Sequence, residues 1–321
     1  MSRKIIIMVA LAGAFLLSFV LVKQMKEPAA TALYTIGILQ TASHPALDAV
    51  RDGFMEELQS TLGSDIAFIV QNAQGSVSQA HTIAQQFHAN RQLSGVFAIA
   101  TPAAQAMSAV EKTKPVIIAA VTDPTALGLI YPLTTVCGVT DAINVPAEID
   151  MLMQLVPTAK TVGLLYTSGE TNSLVMAQQM RQELESKGLT VSDFAVTNES
   201  DLAAVTELAC RKVDVILAPT DNMVASAISL ITAITLKYKK PLMLSDNMLV
   251  TFGPLAARGV DYRETGKQAA QVAYKVVVEG KKPYELPIEQ PDSKEIFINK
   301  ATLDLLGLTV PASLEADVVL V

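Results

Sequence analysis

The stretch Thr161-Val-Gly-Leu-Leu-Tyr-Thr167-Ser-Gly-Glu-Thr-Asn-Ser173 carries the reading of the fold. Thr161–Thr167 is apolar along both faces, the pattern of a parallel strand buried by helices on each side. A polar turn, Ser168–Ser173, leads into the amphipathic segment Leu174–Lys187. Gly188 then stands where a left-handed helix C-cap needs glycine, and Thr190–Thr197 begins a second strand. Moving outward, strand-length runs recur at Val213–Thr220 and Pro241–Asp246, with helices expected over Asp201–Lys212 and Asn222–Lys237. The first half repeats the pattern at Tyr34–Gln40, Ile66–Gln71, Gly95–Thr101 and Pro115–Thr122. Between these runs, Leu47, Val50, Phe54, Leu58 and Leu62 recur at helical spacing, as do Val77, Ala80, Ala84 and Phe87. The second of these helices opens on Ser76-Val-Ser-Gln79, in which Ser76 is placed to accept the Gln79 N–H. Strand–helix alternation predicts an open, doubly wound α/β sheet with right-handed crossovers.

The alternation breaks once. A short extended piece, Thr135–Thr140, leads to Pro146, a helix over Ala147–Leu155, and Pro157. A lobe boundary is expected there. A closed eight-stranded barrel fits the strand count as well, but the break falls midway and a further helix and strand follow Asp261.

Composition narrows the function. The chain has 321 residues, half of them apolar, and a formal charge of −7. Electrostatic nucleic-acid binding needs a basic surface, which this chain lacks. Cys137 and Cys210 are too few for a disulfide framework or a four-cysteine zinc site. His44, His81 and His88 show no metal-ligand spacing, and no cofactor is expected. Arg3-Lys4 followed by the uncharged run Ile5 to Val22 reads as an export signal or membrane anchor, residues 1–32. The rest of the chain is then expected outside the cytoplasm, with a net charge of −10.

In open α/β sheets ligands bind beyond the carboxyl ends of the strands. Those ends are polar here: Gln40-Thr41, Gln71-Asn72, Thr101, Thr122-Asp123, Thr167-Ser168, Thr220-Asp221-Asn222 and Ser245-Asp246-Asn247. Each alone is a favoured helix N-cap. Two such rows facing each other would supply the convergent polar groups of a small-molecule site. No G-x-G-x-x-G, P-loop or G-x-S-x-G motif occurs, and His44 reads as a cleft-wall or capping residue rather than a base.

Several of these stretches resemble one family. Tyr34-Thr-Ile-Gly-Ile-Leu-Gln40 with His44-Pro-Ala-Leu-Asp48 and Gly53-Phe54 is similar to the start of the ABC-transporter substrate-binding proteins associated with tryptophan and tyrosine. Ala100-Thr-Pro-Ala-Ala-Gln105, Thr122-Asp-Pro124, Val162–Ser173, Pro219-Thr-Asp-Asn222, Asp261-Tyr262 and Leu306-Gly-Leu308 follow in the family's order. Thr135-Val-Cys-Gly138 departs from the N-x-T-G of many members, and the lipidation cysteine common in the family is absent. The resemblance implies a type I periplasmic-binding-protein fold, two Rossmann-like lobes joined by three crossings. Lobe 1 would be residues 33–141 plus 262–287, and lobe 2 residues 142–261 plus 288–321. It implies an importer component, not an enzyme, that binds an aromatic amino acid or related compound and partners a membrane permease. A tethered ligand sensor and an enzyme on a similar fold are the alternatives.

The expected ligand-binding residues are Gln40, Ser43, Asn72, Thr101, Thr122, Asp123, Glu170, Asn172, Ser173, Asp221, Asn222 and Asp246. Within that set, the helix N-terminus at Thr101 suits a carboxylate, and Asn172 and Ser173 would donate to it. Glu170, Asp123 or Asp221 would pair with the ammonium. With no tryptophan in the chain, Tyr166 and Phe252 are candidates for the apolar slot.

Overall fold

The computed structural model describes residues 32–125, 127–129, 134–290 and 295–321. The expected export segment lies outside them except for Ala32. Among the described residues no helix is long and apolar enough to cross a membrane.

Two sheets are present. The first holds β1 (Tyr34–Gln40), β2 (Ile66–Asn72), β3 (Gly95–Ile99), β4 (Val116–Ala119) and β5 (Val136–Gly138), all parallel, in the order β2-β1-β3-β4-β5. Helices α1 (Pro45–Leu62), α2 (Val77–Ala89) and α3 (Thr101–Val110) form its crossovers. After α4 (Val145–Leu155) the second sheet begins with β6 (Thr161–Thr167) and β7 (Thr190–Val196), joined by α5 (Thr171–Ser186). Helix α6 (Leu202–Lys212) leads to β8 (Val215–Ala218), and α7 (Asn222–Ser226) and α8 (Ile228–Lys237) lead to β9 (Leu242–Leu244) and β10 (Ala256–Arg258). Helix α9 (Tyr262–Val277) returns to the first sheet. Strand β11 (Ile296–Ile298), α10 (Lys300–Leu305) and β12 (Val318–Leu320) complete the second, in the order β12-β11-β10-β9-β8-β6-β7. Among the described strands, only the β10–β11 pair is antiparallel. The chain thus passes between the sheets three times, and the expected doubly wound two-lobed architecture is present.

Each sheet is apolar on both faces because helices cover both. Phe54 of α1 stacks on Phe97 of β3 with ring centroids 3.8 Å apart, in a core that also takes Tyr262, Ala269, Ala270 and Ala273 from α9. The other face of the first sheet is covered by Ala80, Ala84 and Phe87 of α2 and Met107 of α3. Close approach of α1 and α9 depends on two glycines. A Cβ on Gly266 would lie 2.1 Å from the Val50 carbonyl oxygen, and one on Gly53 would lie 2.2 Å from that of Arg263.

Local expectations met with three adjustments. Ser76 does accept the Gln79 N–H, at 3.3 Å, and Gly188 adopts φ 84° beyond α5. Helix α5, however, starts at Thr171, because Asn172 bonds across to the Thr220 carbonyl and Ser173 to Asp221 instead of forming a local turn. The single helix expected over Asn222–Lys237 breaks at Ala227, where ψ rises to 15°. Strands β10 and β12 are three residues each, too short for the sequence to show a period there.

A buried carboxylate braces the turn that leads from α3 to β4. Glu111 is fully buried and accepts from the backbone N–H groups of Thr113 and Lys114, each at 2.9 Å, and from the Thr113 hydroxyl at 2.7 Å. These bonds outweigh desolvation and hold its carboxyl down to about 2, below the usual carboxylate range. Since the folded value is depressed, its stabilisation is present above the ordinary glutamate pKa and is lost as pH falls toward 2. Glu111→Gln is therefore expected to cost about 2 to 3 kcal/mol at pH 7 and progressively less below pH 4, measured by urea unfolding across that range.

Candidate functional site

The carboxyl ends of both sheets meet across a cleft divided into three adjoining cavities. The central one is a narrow chamber of about 20 Å³, bordered by His44, Ala100, Ala120 and Tyr262 from the first lobe and by Thr220, Asp221, Asn222 and Asp246 from the second. Asn172 borders both this chamber and a cavity of about 370 Å³, whose apolar lining is Leu127, Ile143, Val175, Met176 and Ile288. Asn222 borders both the chamber and a more polar cavity of about 380 Å³ on the other side. The lobes touch directly here, with His44 Nε2 lying 3.3 Å from Asn222 Oδ1.

The chamber is under strain and short of partners. Ala100 and Ala120, the residues immediately after β3 and β4, take φ values of 72° and 55°, a region that costs a non-glycine residue energy. Around the chamber, among the described residues, four shielded polar atoms make no well-formed hydrogen bond: His44 Nδ1, Asp141 Oδ1, Asn172 Oδ1 and Thr220 Oγ1. All four residues border the same chamber. His44, Asp141 and Asn172 are 7%, 1% and 4% exposed, and orphaned groups so deeply buried are uncommon in folded proteins.

The network fixes the character of these atoms. Asn222 Nδ2 donates to Glu170 Oε2 at 2.5 Å, so its Oδ1 faces His44 as an acceptor. His44 Nε2 then carries the proton, and burial, which holds its pKa below the ordinary value, leaves Nδ1 bare. Tyr262 Oη donates to Asp141 Oδ2 at 3.2 Å, and the Thr122 hydroxyl stands beside the same carboxyl, although neither its Oγ1 nor Asp141 Oδ1 makes a well-aligned bond. Asn172 Nδ2 donates to the Thr220 carbonyl at 2.8 Å, which leaves Oδ1 free. Burial pushes Asp141 up to about 6. Burial also pushes Asp246 up to about 7, with the neighbouring Asp141 charge adding to it.

The expected site residues divide into two groups. Thr122, Asp123, Asn172, Asp221, Asn222 and Asp246 border the cavities, and Ser43 and Glu170 border the polar one. Gln40, Asn72, Thr101 and Ser173 border none of the three. Gln40 donates to the Ala42 carbonyl and to Asp48, and Asn72 accepts the Gln74 N–H. Thr101 is buried at the start of α3, and Ser173 Oγ lies 2.7 Å from Asp221 Oδ2.

Two of the three carboxylates expected to meet an ammonium are engaged elsewhere. Asp221 accepts from the Thr167 N–H and hydroxyl, the Ser173 hydroxyl and the Val224 N–H. Glu170 accepts the Asn222 and Met223 N–H groups, each at 3.1 Å, and is pushed up to about 7 by burial and by the Asp221 charge. Both clamp the N-terminus of α7. Tyr166 packs against the second core and Phe252 is exposed, so the apolar lining comes from aliphatic side chains instead. Asp141 escaped the sequence reading, because it lies in the linking segment, off any strand end that the alternation marks.

Two lobes, three crossings and a polar cleft bordered by both define the class of two-lobed substrate-binding proteins. The chain belongs to the ABC transporter substrate binding protein family, whose model matches residues 35–319. That is a family of binding proteins rather than enzymes. A curated relative, the tyrosine-binding protein of Clostridioides difficile, is 31% identical over 280 residues, 85% of this chain and 81% of that one. A Streptococcus pneumoniae ABC domain solved in complex with L-Trp superposes with a TM-score of 0.84 at 32% identity, covering 89% of this chain and 99% of its own. A ligand-free, open substrate-binding protein with adhesive properties from Clostridium difficile, also 32% identical, reaches 0.67 over 90% of this chain and 99% of its own.

Proposed function

We propose that this protein is the extracytoplasmic substrate-binding component of an ABC importer and takes an aromatic amino acid between its lobes. The observation that carries this reading is the set of four shielded polar atoms around one interlobe chamber that make no well-formed hydrogen bond. The names of the tyrosine-binding relative and the L-Trp complex supply the ligand class. The 370 Å³ cavity beside the chamber falls in the size range of small-molecule pockets, and its aliphatic wall suits an aromatic ring.

In this reading the lobes are residues 33–141 plus 262–287 and residues 142–261 plus 288–321, tethered or released on the outer side by residues 1–32. Thr122, Asp123, Asn172, Asn222 and Asp246 face the ligand, while Asp221 and Glu170 hold the turn that presents them. Contacts from both lobes exist together only in the closed form, so ligand shifts the balance toward closure and a membrane permease recognises the closed face.

Isothermal titration with L-tyrosine and L-tryptophan tests the reading, supported by thermal unfolding at a hundredfold excess over Kd, where stabilisation reaches about 2.7 kcal/mol. Saturable binding of either amino acid is expected. Absence of heat and of any thermal shift with both would overturn the proposed ligand class.

A further inference from the structure

We infer that His44 and Asn222 form a latch that holds the two lobes together before any ligand arrives. The inference goes beyond the proposed ligand class, and only its affinity readout rests on that reading.

Both sides of the contact are spent on the cleft rather than on their own helices. His44 is the N-cap residue of α1, followed by Pro45, yet its ring makes no cap bond. Ser, Asn or Asp at that place would cap. The buried ring crosses to the other lobe instead, with Nε2 3.3 Å from Asn222 Oδ1. Asn222 is fixed to receive it. Glu170 accepts both the backbone N–H of Asn222 and its Nδ2, which leaves Oδ1 turned to the ring. Glu170 is itself the N-cap residue of α5 and makes no cap bond there. Two N-cap positions, one on each lobe, thus serve the joint between the lobes.

Position gives the latch its leverage. Thr140, Ala142 and Ile288, on the crossings, line the 370 Å³ cavity. Asn222 and Ser43, the residue before His44, line the polar cavity on the opposite side of the chamber. A bond on the side away from the crossings has to break for the lobes to part. An apolar contact accompanies it: Met248, in the turn Asn247–Phe252 of the second lobe, packs against the core of the first. Contacts made by protein atoms alone are present in the closed form with or without ligand. They raise the closed fraction of the free protein, and apparent affinity rises with the fraction competent to bind.

The test places nitroxide labels at Gln79→Cys and Ser200→Cys of the full chain. Both positions are exposed and follow Val77 and Glu199, which line the polar cavity from opposite lobes, while the native Cys137 and Cys210 are buried. Pulsed dipolar spectroscopy then reads the separation of the lobes without ligand, in the otherwise wild-type protein, in His44→Asn and in His44→Gln. Asn is a favoured N-cap, but its amide reaches only to the place of Nδ1, whereas the longer Gln amide reaches that of Nε2. The ligand-free wild type and His44→Gln are expected to populate a short distance that His44→Asn loses. Affinity for L-tyrosine, by isothermal titration, is expected to fall roughly threefold to tenfold in His44→Asn, the scale of one net hydrogen bond, and to stay within about twofold in His44→Gln. A purely capping role for His44 predicts the opposite for His44→Asn, a higher melting temperature with distances unchanged. Identical ligand-free distances in all three proteins, a wild type without the short distance, or a His44→Gln protein that behaves like His44→Asn would overturn the latch. Wild type that binds no amino acid would overturn the proposed ligand class, and the distances would then decide the latch alone. Should His44→Asn fail to fold, as thermal unfolding would reveal, His44→Phe takes its place, keeping a ring and removing both nitrogens.

Discussion

Gly266→Ala is expected to destabilise the protein by about 3 kcal/mol or more, the upper end of what overpacking costs. Most inserted methyl groups meet side chains that turn aside. This one would meet the Val50 carbonyl oxygen at 2.1 Å and the Phe54 backbone nitrogen at 3.0 Å, and both belong to a helix that cannot yield locally. Relief requires α1 and α9 to separate along their length, which opens the core around Phe54, Tyr262 and Ala269. Gly53→Ala, which meets the Arg263 carbonyl from the opposite side, is expected to behave alike. Gly169→Ala, with nothing within 4 Å of the added carbon, serves as the control and should fall within about 0.5 kcal/mol of wild type. Urea unfolding midpoints decide the matter. A Gly266→Ala protein as stable as the control would show that the two helices do not cross so closely.

Asp221→Ala is expected to lose about 3 kcal/mol of stability. Its two oxygens gather the carboxyl-end tip of β6, Thr167, together with Ser173 on α5 and the first turn of α7. Removing them strands the buried Thr167 and Val224 N–H groups, each of which carries a desolvation penalty of about 1 to 3 kcal/mol. Asp221→Asn retains one acceptor oxygen and should lose less. The pair of variants separates scaffold from ligand contact: a scaffold variant melts early yet titrates with near-native affinity at low temperature. A full-strength melt with collapsed affinity would instead make Asp221 a direct ligand group.

Much of the architecture is readable in the residues, because double-sided apolar runs such as Val96–Ile99 and Leu164–Leu165 have few other fates than a covered parallel sheet. Polar strand ends likewise mark where the cleft must lie. What local pattern does not carry is the assignment of each polar side chain to cleft or cap. Asp221 and Asp246 look alike in sequence, each a strand-end aspartate followed by asparagine, yet one meets four donors and the other is crowded by Asp141. That difference is set by residues far away along the chain. Asp141 is the extreme case. Nothing beside it announces a role, since its partner Tyr262 arrives 121 residues later.

The passage of the chain between the sheets has a consequence for how the protein is made. The first lobe is left unfinished when β5 emerges, with the side of Phe54 and Phe97 that α9 covers still bare. Through some 120 further residues of synthesis that surface waits for α9, while the contiguous strands β6 to β10 can already assemble. Exposed apolar surface of this kind is where nascent chains associate wrongly. For a chain read as bound for export, the delay has a useful side. A first lobe unable to lock before Tyr262–Val277 is present keeps the N-terminal half threadable until most of the polypeptide exists.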